Sequence, residues 1–152
     1  MMLTINKEPN LPDDTVDIKY RELTAPLSQI IDICNQGKQM LFGNLDDKKC
    51  GVDINDVLYI EWVDTHSCIC TAGQVYTSPQ TLAQFETELT GKDFIRISKP
   101  MLVNIRKVRW VSPAINMKLL AELSNGEKVS VNRRYRGDML RAIYQLGKEV
   151  TK

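Results

Sequence analysis

From Lys38 onward the pattern of hydrophobic and polar positions changes to short strand-like segments separated by turn signals. The pattern predicts strands over 39–43, 50–54, 57–63, 68–72 and 74–77. Asp64-Thr65-His66 reads as the connection of one hairpin and Ala72-Gly73 as the tip of the next, which puts His66 on an exposed turn. Ser78-Pro79 then opens a helix whose Leu82, Phe85 and Leu89 share a face, and Gly91 ends it. Phe94-Ile95-Arg96-Ile97-Ser98 is a further strand, broken at Lys99-Pro100 because proline lacks the N–H that a ladder requires.

Leu102, Ile105, Val108 and Val111 recur at every third position, which favours a helical turn leading into a strand over uninterrupted β structure. Met117, Leu119, Ala121 and Leu123 alternate, Asn125-Gly126 supplies a hairpin turn, and 128–131 returns. A short helix over 137–146, with Met139, Leu140 and Ile143 on its apolar side, follows. Ahead of all this, a turn-rich stretch at 9–14 precedes an alternating strand at 16–20. Then comes a helix capped by Thr24, with Pro26 in its first turn, an apolar face of Leu27, Ile30, Ile31 and Cys34, and Gly37 as the stop. The expected class is therefore mainly β with short helices, an α+β fold, plus an N-terminal strand and helix over residues 1–38.

The chain has 152 residues, 43% hydrophobic and 26% charged, as expected of a folded globular domain with a substantial core. Its apolar runs are far shorter than the roughly 20 residues of a membrane helix, and residues 1–8 lack the features of a signal peptide. A cytoplasmic location is expected. Cys34, Cys50, Cys68 and Cys70 then read as reduced, structural thiols. Cys68 and Cys70 share a strand face, and the single His66 leaves too few ligands for a zinc tetrahedron. No metal or cofactor is expected. The lone histidine and the lack of a nucleophile elbow or a phosphate-binding glycine loop argue against an enzyme.

Charge changes the picture. Residues 1–91 hold 6 Lys/Arg against 14 Asp/Glu, a net of −8, whereas residues 92–152 hold 14 against 5, a net of +9. A basic segment held on a folded surface attracts a polyanion. The cations cluster at Arg96 with Lys99, at Arg106-Lys107-Val108-Arg109, and at Arg133-Arg134-Tyr135-Arg136, all beside turns or element ends. Such connections present binding residues on a rigid scaffold, and arginine can fork onto phosphate or the O6/N7 edge of guanine.

The order of residues in Phe94-Ile95-Arg96-Ile97-Ser98-Lys99-Pro100-Met101-Leu102-Val103-Asn104-Ile105 resembles the signature of the LytTR DNA-binding domain family. Asp56-Val57-Leu58-Tyr59-Ile60-Glu61 resembles the family's early strand, Thr81-Leu82 with Glu86 and Leu89 its crossing helix, and Asn125 through Tyr135 its closing hairpin. The resemblance covers about residues 39–146, with 147–152 left as a tail. It implies an elongated arrangement of small antiparallel sheets that sets loops into successive major grooves of double-stranded DNA and regulates transcription.

Carried over residue by residue, the resemblance implies contacts from His66 or its neighbour Ser67, from Lys99, and from Arg133 with Arg134. Asn104 matches the family's asparagine and is expected to satisfy backbone groups. Arg96 also matches, as an ion pair or a phosphate contact. Two positions depart from the pattern, Pro100 and Asn132 standing where serine is usual. Residues 1–38 are too few for the receiver domain of many members, so the chain resembles the short stand-alone group, whose relatives are often encoded beside a small membrane protein. The N-terminal helix would pack on its own domain or mediate a homodimer on repeated half-sites. The competing reading is a protein-interaction module whose basic face docks an acidic partner or a membrane surface.

Overall fold

Antiparallel pairing joins the strands into two sheets, seen in a computed structural model that describes residues 2–12, 15–36 and 39–151. Two compact units divide the chain, Met1–Gln39 and Met40–Lys152. The first carries α1 (Ala25–Gln36), where the Ser28 N–H donates to the Thr24 carbonyl at 2.9 Å, so the helix starts after Thr24 as expected. Gly37 lies outside the described residues. The strand expected at 16–20 does not form. Val16 is exposed, and no strand among the described residues pairs with this stretch. Alternation specifies a strand only when a partner and a buried face exist. Of the expected apolar face of α1, Leu27 is buried and Ile31 half-buried, while Ile30 and Cys34 are exposed.

The second unit contains β1 (Met40–Leu45), β2 (Lys48–Asp53), β3 (Val57–Val63), β4 (His66–Thr71), β5 (Val75–Ser78), β6 (Phe94–Ser98) and β7 (Met101–Asn104) in one sheet ordered β2-β1-β5-β4-β3-β7-β6. A second sheet, β10-β9-β8, is built from β8 (Val108–Pro113), β9 (Leu119–Leu123) and β10 (Lys128–Val131). One sheet is thus larger than the small sheets expected. β1 and β2 also run further than their apolar residues do. They close through Asp46 and Asp47 at φ 50° and 64°, a left-handed two-residue turn that aspartate tolerates.

Helix α2 (Leu82–Glu88) begins later than Ser78-Pro79. Its cap is Thr81, whose hydroxyl accepts from the Gln84 N–H while the Gln84 side chain accepts from the Thr81 N–H, a full capping box. Ser78 instead ends β5, buried, its hydroxyl accepting from the Gln80 N–H. The last helix, α3 (Arg136–Thr151), starts one residue early and continues through the expected tail.

Two cores occupy the two faces of the large sheet. Under α2, Phe85, Leu82 and Leu89 pack on Val57, Ile60, Ile69 and Leu102. On the other face, Leu58, Ile97 and Val103 pack with Leu119, Ala121, Leu123 and Val131 of the small sheet and with Met139 of α3. A bulge between Val57 and Tyr59 shifts the register of β3 against β4 where the strand passes between these cores.

Two short 3-10 turns redirect the chain between strands in the same way. At Ile54–Asp56 the Asp53 carboxylate accepts from the Asn55 N–H, and at Ile105–Lys107 the Asn104 side-chain oxygen accepts from the Arg106 N–H. The second turn reproduces the every-third-residue pattern, with Leu102 in the preceding strand and Val108 starting the next. Asn104 is buried, and its amide also donates to the Val57 carbonyl at 2.9 Å, tying β7 to the start of β3. Asn104→Ala should lower stability by about 1–3 kcal/mol, since it leaves buried backbone groups unpaired. Thr81→Ala, at an exposed cap, should cost about 1 kcal/mol. Urea denaturation of the two variants checks the ranking.

Candidate nucleic-acid interface

Three connections carry the predicted contacts, and the backbone draws them together. In the β3–β4 hairpin the turn is Asp64-Thr65, with Asp64 at φ 56°, so His66 is the first residue of β4, half-buried and opposite Val63, instead of a turn residue. Ser67 follows it facing inward. It is fully buried and its hydroxyl donates to the Gln80 carbonyl at 2.7 Å. Successive residues of a strand face opposite ways, so only one of this pair can reach outward, and Ser67 is excluded.

The β6–β7 turn exposes Lys99 and Pro100. Pro100 has no N–H to give, yet its carbonyl accepts from the Trp62 N–H of β3 at 2.8 Å, which seats the turn beside the His66 hairpin. Arg96 reaches back from β6 to donate to the Lys99 carbonyl and pairs with Glu86 of α2. Its side chain is only 20% exposed and its Nε is buried without a hydrogen-bond partner. Arg96 is therefore a structural clamp between α2 and the Lys99 turn, the ion-pair reading of the two expected. Asn104, buried and fully engaged with backbone groups, likewise leaves the contact set.

After β10 the chain makes a 3-10 turn at Arg133–Tyr135. The Asn132 N–H donates to the Ile97 carbonyl at 2.8 Å, which fastens this turn to β6 just before Lys99. Arg133 and Arg134 are exposed, with the Arg134 guanidinium 5.7 Å from the centre of the Tyr135 ring. Tyr135 in turn packs against the second core. One rim thus carries His66, Lys99, Arg133 and Arg134.

Some of the other cations are engaged, whereas Lys107, Arg109 and Lys118 have no ion pair among the described residues. Arg106 is held by Asp93 at 2.7 Å and Arg141 by Asp138, while Lys128 lies over Trp110 and Lys49 over Phe42. Among the described residues no ion pair engages Lys99, Arg133 or Arg134. Of the basic run Arg106 to Arg109, the first member is neutralised at the 3-10 turn, away from this rim. The partners that retire Arg96 and Ser67, namely Glu86 and the Gln80 carbonyl, have no signal in a single sequence beyond the presence of Glu86 on an exposed helix face.

The sequence matches the family model "LytTr DNA-binding domain" over residues 47–143. The chain belongs to the LytTR DNA-binding domain family. It is similar to the sensory transduction protein LytT of Bacillus subtilis, 24% identical over 126 residues, covering 83% of this chain and 52% of the relative. It is also similar to the sensory transduction protein LytR of Streptococcus agalactiae, 28% identical over 101 residues, covering 66% and 41%. The chain thus spans about half the length of these curated relatives. A solved Bacillus cereus LytTr DNA-binding domain has the same fold, with a TM-score of 0.65 and 24% identity over 70% of this chain and 98% of that one.

Cys68 and Cys70 follow His66 on β4. Burial raises the Cys68 thiol, and burial also pushes Cys70 from 9.0 up to about 11 against the lowering effect of a hydrogen bond from Tyr59. Burial raises the Tyr59 phenol far above its ordinary range, helped by Cys70 and by its bond to Glu127 at 2.9 Å. No group of three or more His, Cys, Asp or Glu among the described residues could hold a metal ion. Because the fold favours the neutral Cys70 thiol, its contribution to stability is intact below pH 9 and is lost as pH rises towards about 11. Urea midpoints should fall across that window, and less steeply in Cys70→Ala, with the residual slope belonging to Cys68 and Tyr59, whose neutral forms the fold also favours. An identical slope in the variant would contradict this assignment.

Proposed function

We propose that this chain is a sequence-specific double-stranded DNA-binding transcriptional regulator that sets the turns at His66, Lys99 and Arg133-Arg134 into successive major grooves. The observation that carries the reading is the pair of backbone bonds, Trp62 N–H to Pro100 and Asn132 N–H to Ile97, which gather three connections onto one rim. Cations left unpaired at that rim are free to exchange counterions for phosphates, and arginine can also read guanine. Lys99 supplies a point charge, Arg133 and Arg134 supply forked donors, and His66 lies at the edge of the neighbouring hairpin. Pro100 offers neither hydroxyl nor N–H to a phosphate, so the Lys99 turn contributes fewer contacts than serine would allow.

Membership of the LytTR family supports DNA binding and transcription regulation. The reading also includes a cytoplasmic location, a homodimer on repeated half-sites, residues 1–38 as a regulatory or dimerisation element, and control by a small membrane protein. Of these, the control by a small membrane protein rests on the family resemblance alone, and the role of residues 1–38 rests on the apolar face of α1. No helix among the described residues is long and apolar enough to cross a membrane.

Selection of a preferred duplex from a random pool, followed by salt titration, tests the proposal. Affinity should fall with log salt at a slope of roughly −0.9 per phosphate neutralised, with clear preference over random duplex. Arg134→Ala and Lys99→Ala should each weaken specific binding by about 1–3 kcal/mol with unchanged unfolding, and His66→Ala should relax sequence preference more than total affinity. Wild-type binding by both cation variants would refute the assigned rim. Salt-sensitive binding without sequence preference would favour a basic face that docks an acidic partner.

A further inference from the structure

The β8–β9 connection combines two features that packing does not require. Ile115 is 85% exposed and Met117 57%, so neither serves the core. Asn116 and Met117 sit at φ 60° and 59°. Asparagine accepts that left-handed conformation, but methionine is disfavoured in it, and glycine would adopt it freely. The turn is nonetheless well fixed. The Ala114 N–H donates to the Lys118 carbonyl at 2.9 Å, and the Arg136 guanidinium donates to the Met117 carbonyl at 3.5 Å.

Its position in the fold says what it meets. Leu119 pairs with Pro113 of β8 and with Val131 of β10, so the tip lies at the end of the small sheet from which Arg133 and Arg134 emerge. Exposed Lys118 sits at its base and Arg136 at its side. An apolar tip set among these cations suits a partner that is a polyanion with apolar groups between its charges. In the major groove, the apolar group that base edges display is the thymine 5-methyl.

We infer that the Ile115–Met117 turn enters the same major groove as the Arg133-Arg134 turn and packs Ile115 and Met117 against thymine methyl groups. This rests on the reading of Arg133 and Arg134 as groove residues and adds to it a specificity element of a different chemistry. Positive side chains hold the duplex whatever its sequence, whereas a buried methyl is felt only where thymine stands. Met117 is retained in a conformation that suits glycine because its side chain reaches a base that glycine could not.

The test replaces each thymine of the selected duplex, one at a time, by uracil, which removes only the methyl group. Wild-type protein should lose about fourfold in affinity at one or two positions, the effect of one buried methyl. Ile115→Ser or Met117→Gly should bind the thymine duplex correspondingly more weakly and show no further loss with uracil at those positions. Met117→Gly should also keep or raise the melting temperature, which separates lost contact from lost fold. If the uracil losses persist unchanged in both variants, or if no thymine responds, the inference is overturned. Arg134→Ala on the same duplex distinguishes the two levels. A loss there without any uracil coupling leaves the groove reading intact and removes only the Ile115–Met117 contact.

Discussion

The two-sided burial of β3, β6 and β7 is the constraint on which the rest of the structure depends. Leu102 and Val103 are adjacent on β7, yet one belongs to the core under α2 and the other to the core shared with the small sheet. Leu58 and Ile60 of β3 divide in the same way. A hairpin buried on both faces cannot slip by a residue without driving each set of side chains into the wrong core. The Lys99-Pro100 turn at its end is therefore held in one place, and the carbonyls of Pro100 and Ile97 on either side of it anchor the His66 hairpin and the Arg133–Tyr135 turn. These turns are thus held by packed and hydrogen-bonded neighbours.

The uneven charge distribution is reshaped by the same architecture. Fourteen basic residues follow position 91, and among the described residues four of them are engaged by an ion pair or an indole ring: Arg96 clamps α2 to the turn, Arg106 answers Asp93, Arg141 answers Asp138 and Lys128 covers Trp110. The acidic first part of the chain supplies β1 to β5 and α2 of the same folded unit, including the Glu86 that neutralises Arg96. The charge boundary is thus a feature of one domain's sequence and does not divide two domains. Among the described residues, Lys99, Arg133 and Arg134 combine exposure and the lack of an ion pair, a state they share with Arg109 and Lys118, with a place on turns fastened by the Pro100 and Ile97 carbonyls.

Much of this was legible in the residues. β3, β6 and β10 occupy the expected stretches, because turn-forming residues bound each of them closely. The 16–20 stretch shows the same alternation and forms no strand, since a period of two says nothing about whether a partner exists. The closing turn of β1 and β2 escaped notice because two aspartates do the work of Asn-Gly there. Exposed turn residues such as Lys99, Arg133 and Arg134 could be read from local signals. The burial of Ser67 could not, as it depends on Gln80, 13 residues away, while the backbone role of Asn104 and the ion-pair alternative for Arg96 were implied by the resemblance without their partners, Val57 and Glu86, 47 and 10 residues away. Sheet order and the strained Ile115–Met117 turn were beyond periodicity altogether.

The central claim is that three separate connections make one DNA-facing rim. Backbone amide NMR during titration with the selected duplex tests it most directly, because it observes each connection in the intact protein. The account predicts shift changes concentrated at 64–66, 98–101 and 132–136, joined by 114–118 if the Ile115–Met117 turn enters the groove. Changes centred instead on α1 or on the β1–β2 hairpin, with those three stretches unmoved, would contradict it.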